Sequence, residues 1–355
     1  MNKLVYDIGA SNIKYAVMTN NGEIVTRSQV PTPRDSFEGY FGAIMNIYGE
    51  NNEEVDGIAF STNGRMMPDG NTYRAYTMGF LTGVNLKAEI ELRTGLPVVV
   101  ETDGYAAAIG EWWKGAAAGS LNTMAIVLGS GMGGGIILDG KPYRGSRQNA
   151  AMNFGMLSSA DIENARYGFS GLETSFAAMF YFLAMEKQID PAGVTGPGIF
   201  EWAAGGDEVT LRYLEKYYRA IAVTIFNSAV LLDLDCLVIT GGLAQQSILI
   251  EGIRRNIRDI SGKIPHMEGL DIDRKDADVG ADEKDFDFDI RQGKLTADAN
   301  LYGALYAFLN SSERNKLVTV QPDVSREVFL CNACVACVYF AQNPEGRRRQ
   351  ITRSL

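Results

Sequence analysis

The sequence predicts an α/β protein of two lobes, each a mixed sheet with flanking helices. Three observations carry that prediction. The chain has 355 residues, too many for one ordinary core and comfortable for two. A strand, a glycine-bearing turn and a returning strand occur at the N-terminus and again from residue 124. Elsewhere short apolar runs alternate with stretches of helical period, the pattern of strands covered by helices. The repetition suggests two lobes of one design over residues 1–115 and 116–295, with a helix over 296–312 returning to the first.

The first lobe opens on an apolar strand over residues 4–8, turns at 9–12 and returns over 13–18. Asn20-Asn21-Gly22 makes the next turn and residues 23–28 a third strand, so the lobe begins as a meander with Asp7 near the end of its first strand. Residues 36–50 set Phe37, Tyr40, Phe41, Ile44, Ile47 and Tyr48 at helical spacing. A strand over 55–61 runs into Thr62-Asn63-Gly64. Residues 86–93 form an amphipathic helix closed by Gly95 and Pro97. Val98-Val99-Val100 is a buried strand that delivers Glu101-Thr102-Asp103-Gly104, and residues 106–113 continue as a helix of small residues.

The second lobe repeats the opening. Residues 125–128 enter a glycine turn over 129–135, residues 136–138 leave it, and Asp139-Gly140 turns the chain again. Residues 208–232 are a long helix, 235–240 a strand ending in Gly241-Gly242, and 245–258 a further helix. At the end of an acidic stretch over 271–289, Phe286, Phe288 and Ile290 alternate as a strand does. Residues 298–310 read as a helix with alanines on one face. After about residue 318 periodicity is lost. The Cys331, Cys334, Cys337 spacing suggests a metal or iron–sulfur site. It lacks a nearby fourth ligand, and a loosely attached tail over 319–355 fits better.

Composition removes several classes. Hydrophobic residues make up 46%, as in a globular protein, and the formal net charge of -10 argues against nucleic acid as the main partner. No basic segment, apolar segment and cleavage site precede the first strand, and no apolar run reaches the length of a membrane span. Four cysteines in this length make no disulfide framework, so a cytoplasmic location is expected. The single histidine, His266, sits in an ordinary polar stretch, which leaves a Ser-His-Asp or Cys-His hydrolase little to be built on.

A phosphoryl-transfer enzyme needs a cradle for phosphates, a metal and a base beside the acceptor hydroxyl. In Asp7-x-Gly9-x-Ser11-x-x-Lys14, Gly9 allows a tight turn whose N–H groups and Ser11 hydroxyl face phosphate oxygens, and Asp7 holds Mg2+ through water. A plain hairpin carries the same pattern. Gly129-Ser130-Gly131-x-Gly133-Gly134-Gly135 puts five glycines in seven positions, which close approach to an anion explains better than a hairpin. Gly241-Gly242 lets a flat ring such as adenine lie against the backbone, although any strand-to-helix turn uses such a pair. Asp103, between a strand and a helix, is placed to take a proton from a bound hydroxyl. Taken alone, a helix N-cap is the simpler reading of that aspartate.

In this order the motifs resemble the ROK family of sugar kinases and related repressors, in the actin/hexokinase/Hsp70 superfamily, over roughly residues 3–310. Asp7-Ile8-Gly9-Ala10-Ser11-Asn12-Ile13-Lys14 looks like the family's D-I-G-G-T-x-x-K. Gly83-Val84-Asn85-Leu86 and Gly95-Leu96-Pro97-Val98 look like G-V-D-L and G-L-P-V. Thr102-Asp103-Gly104-Tyr105, continuing to Gly110-Glu111, looks like N-D-A-N-A-A-A-x-G-E, and Ala299-Asn300-Leu301-Tyr302-Gly303-Ala304 also fits. The resemblance implies a two-lobed, actin-like (ribonuclease H-like) ATPase fold with ATP and Mg2+ as cofactors and Asp103 as general base. It implies Asp7, Gly9, Ser11, Lys14, Gly129, Ser130, Gly131, Gly133, Gly134, Gly241 and Gly242 on ATP, with Asp7 holding Mg2+ through water. Gly64, Thr102, Asp103, Asn153 and Glu173 would surround a sugar. A small-molecule sugar and a second copy of the chain are the partners expected, with no nucleic acid and no membrane.

The departures fall on the sugar side. The family's G-E-x-G-H reads Met152-Asn153-Phe154-Gly155-Met156, so both the sugar-holding glutamate and the zinc-binding histidine are missing. The cysteine motif survives only as Gly171-Leu172-Glu173, and no structural zinc site is expected. Thr102 replaces the asparagine before the base, Tyr105 replaces the one after it, and S-A-P-G reads Ser61-Thr62-Asn63-Gly64. The acceptor expected is the 6-hydroxyl of a hexose or glucoside, with a β-glucoside as the alternative to free glucose or N-acetylmannosamine. A sugar-binding regulator that has lost catalysis is the alternative function. The repressors' DNA-binding module has no counterpart, because the first strand begins at residue 3. A chaperone-like or actin-like ATPase is disfavoured by the run around Asp103.

Overall fold

A computed structural model describes residues 1–75, 77–151, 154, 157, 173–262 and 289–311. Strands β1 (Asn2–Ile8), β2 (Asn12–Met18) and β3 (Ile24–Pro31) form an antiparallel meander. β4 (Val55–Thr62) and β7 (Val98–Thr102) add to it in parallel, in the order β3-β2-β1-β4-β7. Strands β8 (Thr123–Leu128), β9 (Met132–Leu138) and β10 (Lys141–Tyr143) repeat the meander. β11 (Cys236–Thr240) and β12 (Ile290–Gln292) add to β8 in parallel, in the order β10-β9-β8-β11-β12. The two sheets share one strand order, as the two-lobed actin-like fold requires.

Alternation along β1 shows why its central Leu4-Val5-Tyr6 is apolar on both faces. Leu4, Tyr6 and Ile8 face helices α1 (Phe37–Asn51) and α2 (Leu86–Thr94), where Tyr40, Phe41, Ile44 and Ile90 complete a core. Val5 joins the opposite core with Leu301, Ala304 and Leu305. A strand covered on both faces has no polar side to show. The helix ends follow local chemistry. Ser36 and Asn85 accept the capping N–H groups of Gly39 and Ala88, and Gly95 ends α2 at φ 69°, where glycine is favoured.

The second sheet is covered on one face by α4 (Phe176–Glu186), α5 (Gly196–Ala204), α6 (Glu208–Leu232) and α7 (Ser247–Ser261). Its other face takes α3 (Asp103–Trp113), whose Ala108 packs with Ala125, Cys236 and Val238. So α3 follows a strand of the first sheet but packs on the second. Conversely α8 (Ala299–Leu309) follows β12 and packs on β1, β4 and β7. The two helices cross where a Cβ on Gly110 would lie 2.1 Å from the Ala299 carbonyl oxygen, and one on Gly303 1.7 Å from that of Ala106. That contact is the physical reason for the small residues on both helices.

The structure corrects the expected turn over 129–135. β9 begins at Met132, so Gly133, Gly134 and Gly135 lie in a strand. A Cβ on Gly134 would lie 2.2 Å from the Ala125 carbonyl oxygen, and one on Gly135 2.8 Å from the Ala108 methyl. Two of the five glycines are therefore there for packing. The start of α3 is Asp103 and not residue 106. The short β5 (Arg65–Met66) and β6 (Thr72–Arg74), together with β10, α4 and α5, have no counterpart among the expected elements. Asn153, Gly171, Leu172, His266, Phe286, Phe288 and the tail over 319–355, with Cys331, Cys334 and Cys337, lie outside the described residues. Among the described residues no helix is long and apolar enough to cross a membrane.

Candidate active site

The parallel strands β1, β4 and β7 end side by side, with Asp7 opposite Ser61 and Thr62 opposite Thr102. Loops at the carboxyl ends of parallel strands are where α/β sheets bind ligands. This edge gathers Asp7, Asn63, Gly64, Thr102 and Asp103.

Asp103 is the first residue of α3, after Thr102 as N-cap. Its Oδ1 accepts from the Gly104 N–H at 2.7 Å, and its Oδ2 from the Asn63 Nδ2 at 3.3 Å. Burial pushes the carboxyl up to about 6 against these two hydrogen bonds, and the charge of Asp7 adds to the rise. The helix N-cap is therefore Thr102, which overturns the capping reading of Asp103; the aspartate's Oδ1 accepts from the next N–H, and its Oδ2 faces the turn after β4.

Asp7 is 6% exposed, and burial raises its pKa. Its Oδ1 accepts from Asn300 Nδ2 at 2.8 Å, at the start of α8, and its Oδ2 from Lys14 Nζ at 3.4 Å. A hard cation takes oxygen donors. A buried carboxylate with a long ion pair and a neighbouring Ser61 hydroxyl suits a hydrated Mg2+.

Two residues expected around the sugar also shape the backbone. Thr102 is buried, and its hydroxyl accepts from the Met66 N–H at 3.2 Å. Gly64 stands at φ 119°, where a Cβ would lie 2.5 Å from the Arg74 carbonyl oxygen. Glu173 is exposed just ahead of α4.

On the second sheet, a Cβ on Gly129, Gly131, Gly133 or Gly242 would meet nothing within 4 Å, so these backbones face open space. The Ser130 carbonyl accepts from the Ala177 N–H at 3.0 Å and the Ser175 hydroxyl at 3.2 Å, which ties the turn to α4. Gly241, at φ 97°, packs against Leu128. In the first turn Gly9 donates to the Asn12 carbonyl at 3.0 Å, and Ser11 is exposed.

Two buried carboxylates beyond the expected site tie the sheets together. Glu101 takes both arms of the Arg144 guanidinium, at 2.9 and 2.6 Å, and that guanidinium lies 4.8 Å from the Tyr105 ring centroid. Glu111 accepts from the N–H groups of Ala116, Lys294 and Leu295 at 2.9, 3.0 and 3.0 Å. It also accepts from the Thr240 hydroxyl at 3.3 Å. Local sequence signals neither partnership, because most of the partners are far away in the chain.

Residues 4–268 match the model of the ROK family. This chain belongs to the ROK family. It is 28% identical over 318 residues to a β-glucoside kinase of Listeria monocytogenes, covering 88% of this chain and 98% of that one. It is 28% identical over 265 residues to a glucokinase of Halalkalibacterium halodurans, covering 67% and 79%. Among solved structures, the ROK glucokinase of Streptomyces griseus in complex with glucose and AMPPNP superposes with a TM-score of 0.68 at 26% identity. That match covers 86% of this chain and 98% of that one.

Proposed function

We propose that this ROK protein is an ATP-dependent sugar kinase in which Asp103 is the general base. The acceptor is the 6-hydroxyl of a hexose or glucoside. Asp103 Oδ2 takes the hydroxyl proton as that oxygen bonds to the γ-phosphorus, and the bond to the β–γ bridging oxygen breaks to release ADP. Asp103 Oδ2 faces the turn after β4 at the carboxyl edge of the parallel strands, and this placement carries the reading; a carboxyl near 6 there is ionised at neutral pH and still accepts a proton readily.

The turn of Gly129, Ser130, Gly131 and Gly133, whose glycines face open space, with Gly9, Ser11 and Lys14 of the first turn, cradles the phosphates, and Gly241-Gly242 borders the adenosine. Gly134 supports the cradle by letting β9 pack against its neighbours. When bound, Mg2+ neutralises phosphate charge, and Asp7, through water, is the residue that would hold it. Gly64, Thr102, Asn153 and Glu173 border the sugar. The near full-length likeness to a β-glucoside kinase favours a β-glucoside over free glucose.

The expected result is that Asp103→Asn lowers kcat by roughly 10²–10⁴ with sugar binding retained. Near-normal turnover would overturn the assignment. ATP consumption against glucose, N-acetylglucosamine and methyl β-glucoside identifies the acceptor. Sugar binding with no turnover of any acceptor would instead make the chain a regulator.

A further inference from the structure

We infer that Asn63 is a positioning residue for Asp103, aiming the carboxylate oxygen that meets the substrate hydroxyl. The inference rests on Asp103 being the base. Asn63 stands where the family pattern S-A-P-G has a proline, a residue with no side-chain donor.

The geometry is specific to the carboxylate's two oxygens. Oδ1 is engaged by the Gly104 N–H at 2.7 Å, so Oδ2 is the oxygen left for a substrate proton. Asn63 Nδ2 reaches Oδ2 at 3.3 Å and takes one of its acceptor positions, which leaves the other for the hydroxyl. An amide oxygen turned to the carboxylate would set acceptor against acceptor, so the –NH2 end faces Asp103. The Thr77 hydroxyl then donates to Asn63 Oδ1 at 3.3 Å and holds the amide in that orientation. The turn that carries Asn63 is fixed independently, by Gly64 at φ 119° and by the Met66 N–H on the Thr102 hydroxyl.

Among the described residues, Asn63 is the side chain that donates to that oxygen. Asp7 on β1 acts on Asp103 through its charge, and it is engaged by Lys14 on β2 and Asn300 on α8. Glu101 on β7 is consumed by Arg144. On the α3 side the packed element is β9, whose Gly134 offers only backbone to Gly104.

The test measures steady-state kinetics across pH for Asn63→Ala, Asn63→Asp and Thr77→Val, with MgATP and the acceptor giving the highest turnover in the sugar panel. Asn63→Ala is expected to lower kcat roughly tenfold at unchanged KM for MgATP. It also moves the acidic limb of kcat/KM upward by roughly half to one pH unit, because the ionised oxygen loses a donor. Asn63→Asp, nearly identical in shape, moves the limb further, since two adjacent carboxylates resist ionising together. Thr77→Val gives a smaller shift in the same direction. Wild-type kcat with an unmoved limb in both Asn63 variants overturns the inference. So does a rise in sugar KM alone, which would make Asn63 a sugar contact. Asp103→Asn separates the failures. If turnover is lost there while the Asn63 variants keep the wild-type limb, this inference alone falls. If turnover survives there, the base assignment falls and takes this inference with it.

Discussion

The turn between β1 and β2 and the turn between β8 and β9 open two sheets of the same strand order, but they are built from different chemistry. The first is charged: Asp7 ends β1, Lys14 stands opposite on β2, and Asn300 reaches in from α8. The second is bare: β8 ends in Ile126-Val127-Leu128, and the turn is Gly129-Ser130-Gly131. On the reading proposed above, the acids serve the metal and the acceptor hydroxyl, and the bare turn would meet phosphate without adding charge of its own. The acids, Asp7 and Asp103, both belong to the first sheet's edge. Repeated topology has therefore been divided into an acid side and a bare side.

The largest expected effect tests whether the two sides stand as one unit. Arg144 follows β10 of the second sheet and meets Glu101 on β7 of the first. Arg144→Met leaves a buried carboxylate without its counter-charge and should cost about 3–5 kcal/mol in denaturant unfolding. Adding Glu101→Gln should recover much of that loss, because no charge then remains buried. Arg27→Ala, which removes an exposed pair with Asp298, should cost less than about 1 kcal/mol. A small effect at Arg144 would mean that the pair does not hold the sheets together.

A second comparison lies within the glycine run. Gly134→Ala puts a methyl group 2.2 Å from a backbone oxygen and should destabilise by about 1–3 kcal/mol or more. Gly131→Ala meets nothing within 4 Å and should stay within about 0.5 kcal/mol of wild type while raising KM for ATP. If Gly131→Ala leaves KM for ATP unmoved, the cradle assignment is wrong.

These glycines also mark where sequence reading works and where it stops. Apolar period and capping residues place β1, α1, α2 and the 25-residue α6 almost to the residue, because those signals are local. The run around Asp103 likewise marks the acid correctly as the junction of a strand and a helix. Whether a glycine serves a ligand or a neighbouring element depends on tertiary packing. Gly131 and Gly134 look alike in sequence and differ only once β9 lies against Ala125 of β8. Asn63, Asn300 and Glu111 are ordinary polar residues until the fold brings partners 40, 293 and up to 184 positions away. Helix α4 escapes notice for another reason: apolar Phe182 and Met185 on its exposed side blur the helical period of its buried face.

The smallest effect separates the acid side from the bare side by pH alone. Burial holds Asp103 at about 6 in the folded chain, against 3.8 for an ordinary aspartate. An acid with a raised folded pKa binds its proton more tightly when folded. Its favourable contribution is therefore complete below pH 3.8 and is lost as pH rises through about 6. At pH 7 the ionised carboxylate weakens the fold, even though, on the proposed reading, kcat/KM would rise with pH through the same range. Asp103→Asn should then be more stable than wild type by about 1–2 kcal/mol at pH 7, and the gain should shrink toward zero near pH 4. Gly131→Ala, in a turn with no titratable side chain, should show no such pH dependence. Thermal melts of both variants from pH 4 to 8 make the comparison. If Asp103→Asn is less stable than wild type at pH 7, the carboxylate is held by its hydrogen bonds more strongly than burial opposes it, and the acid side is not the strained one.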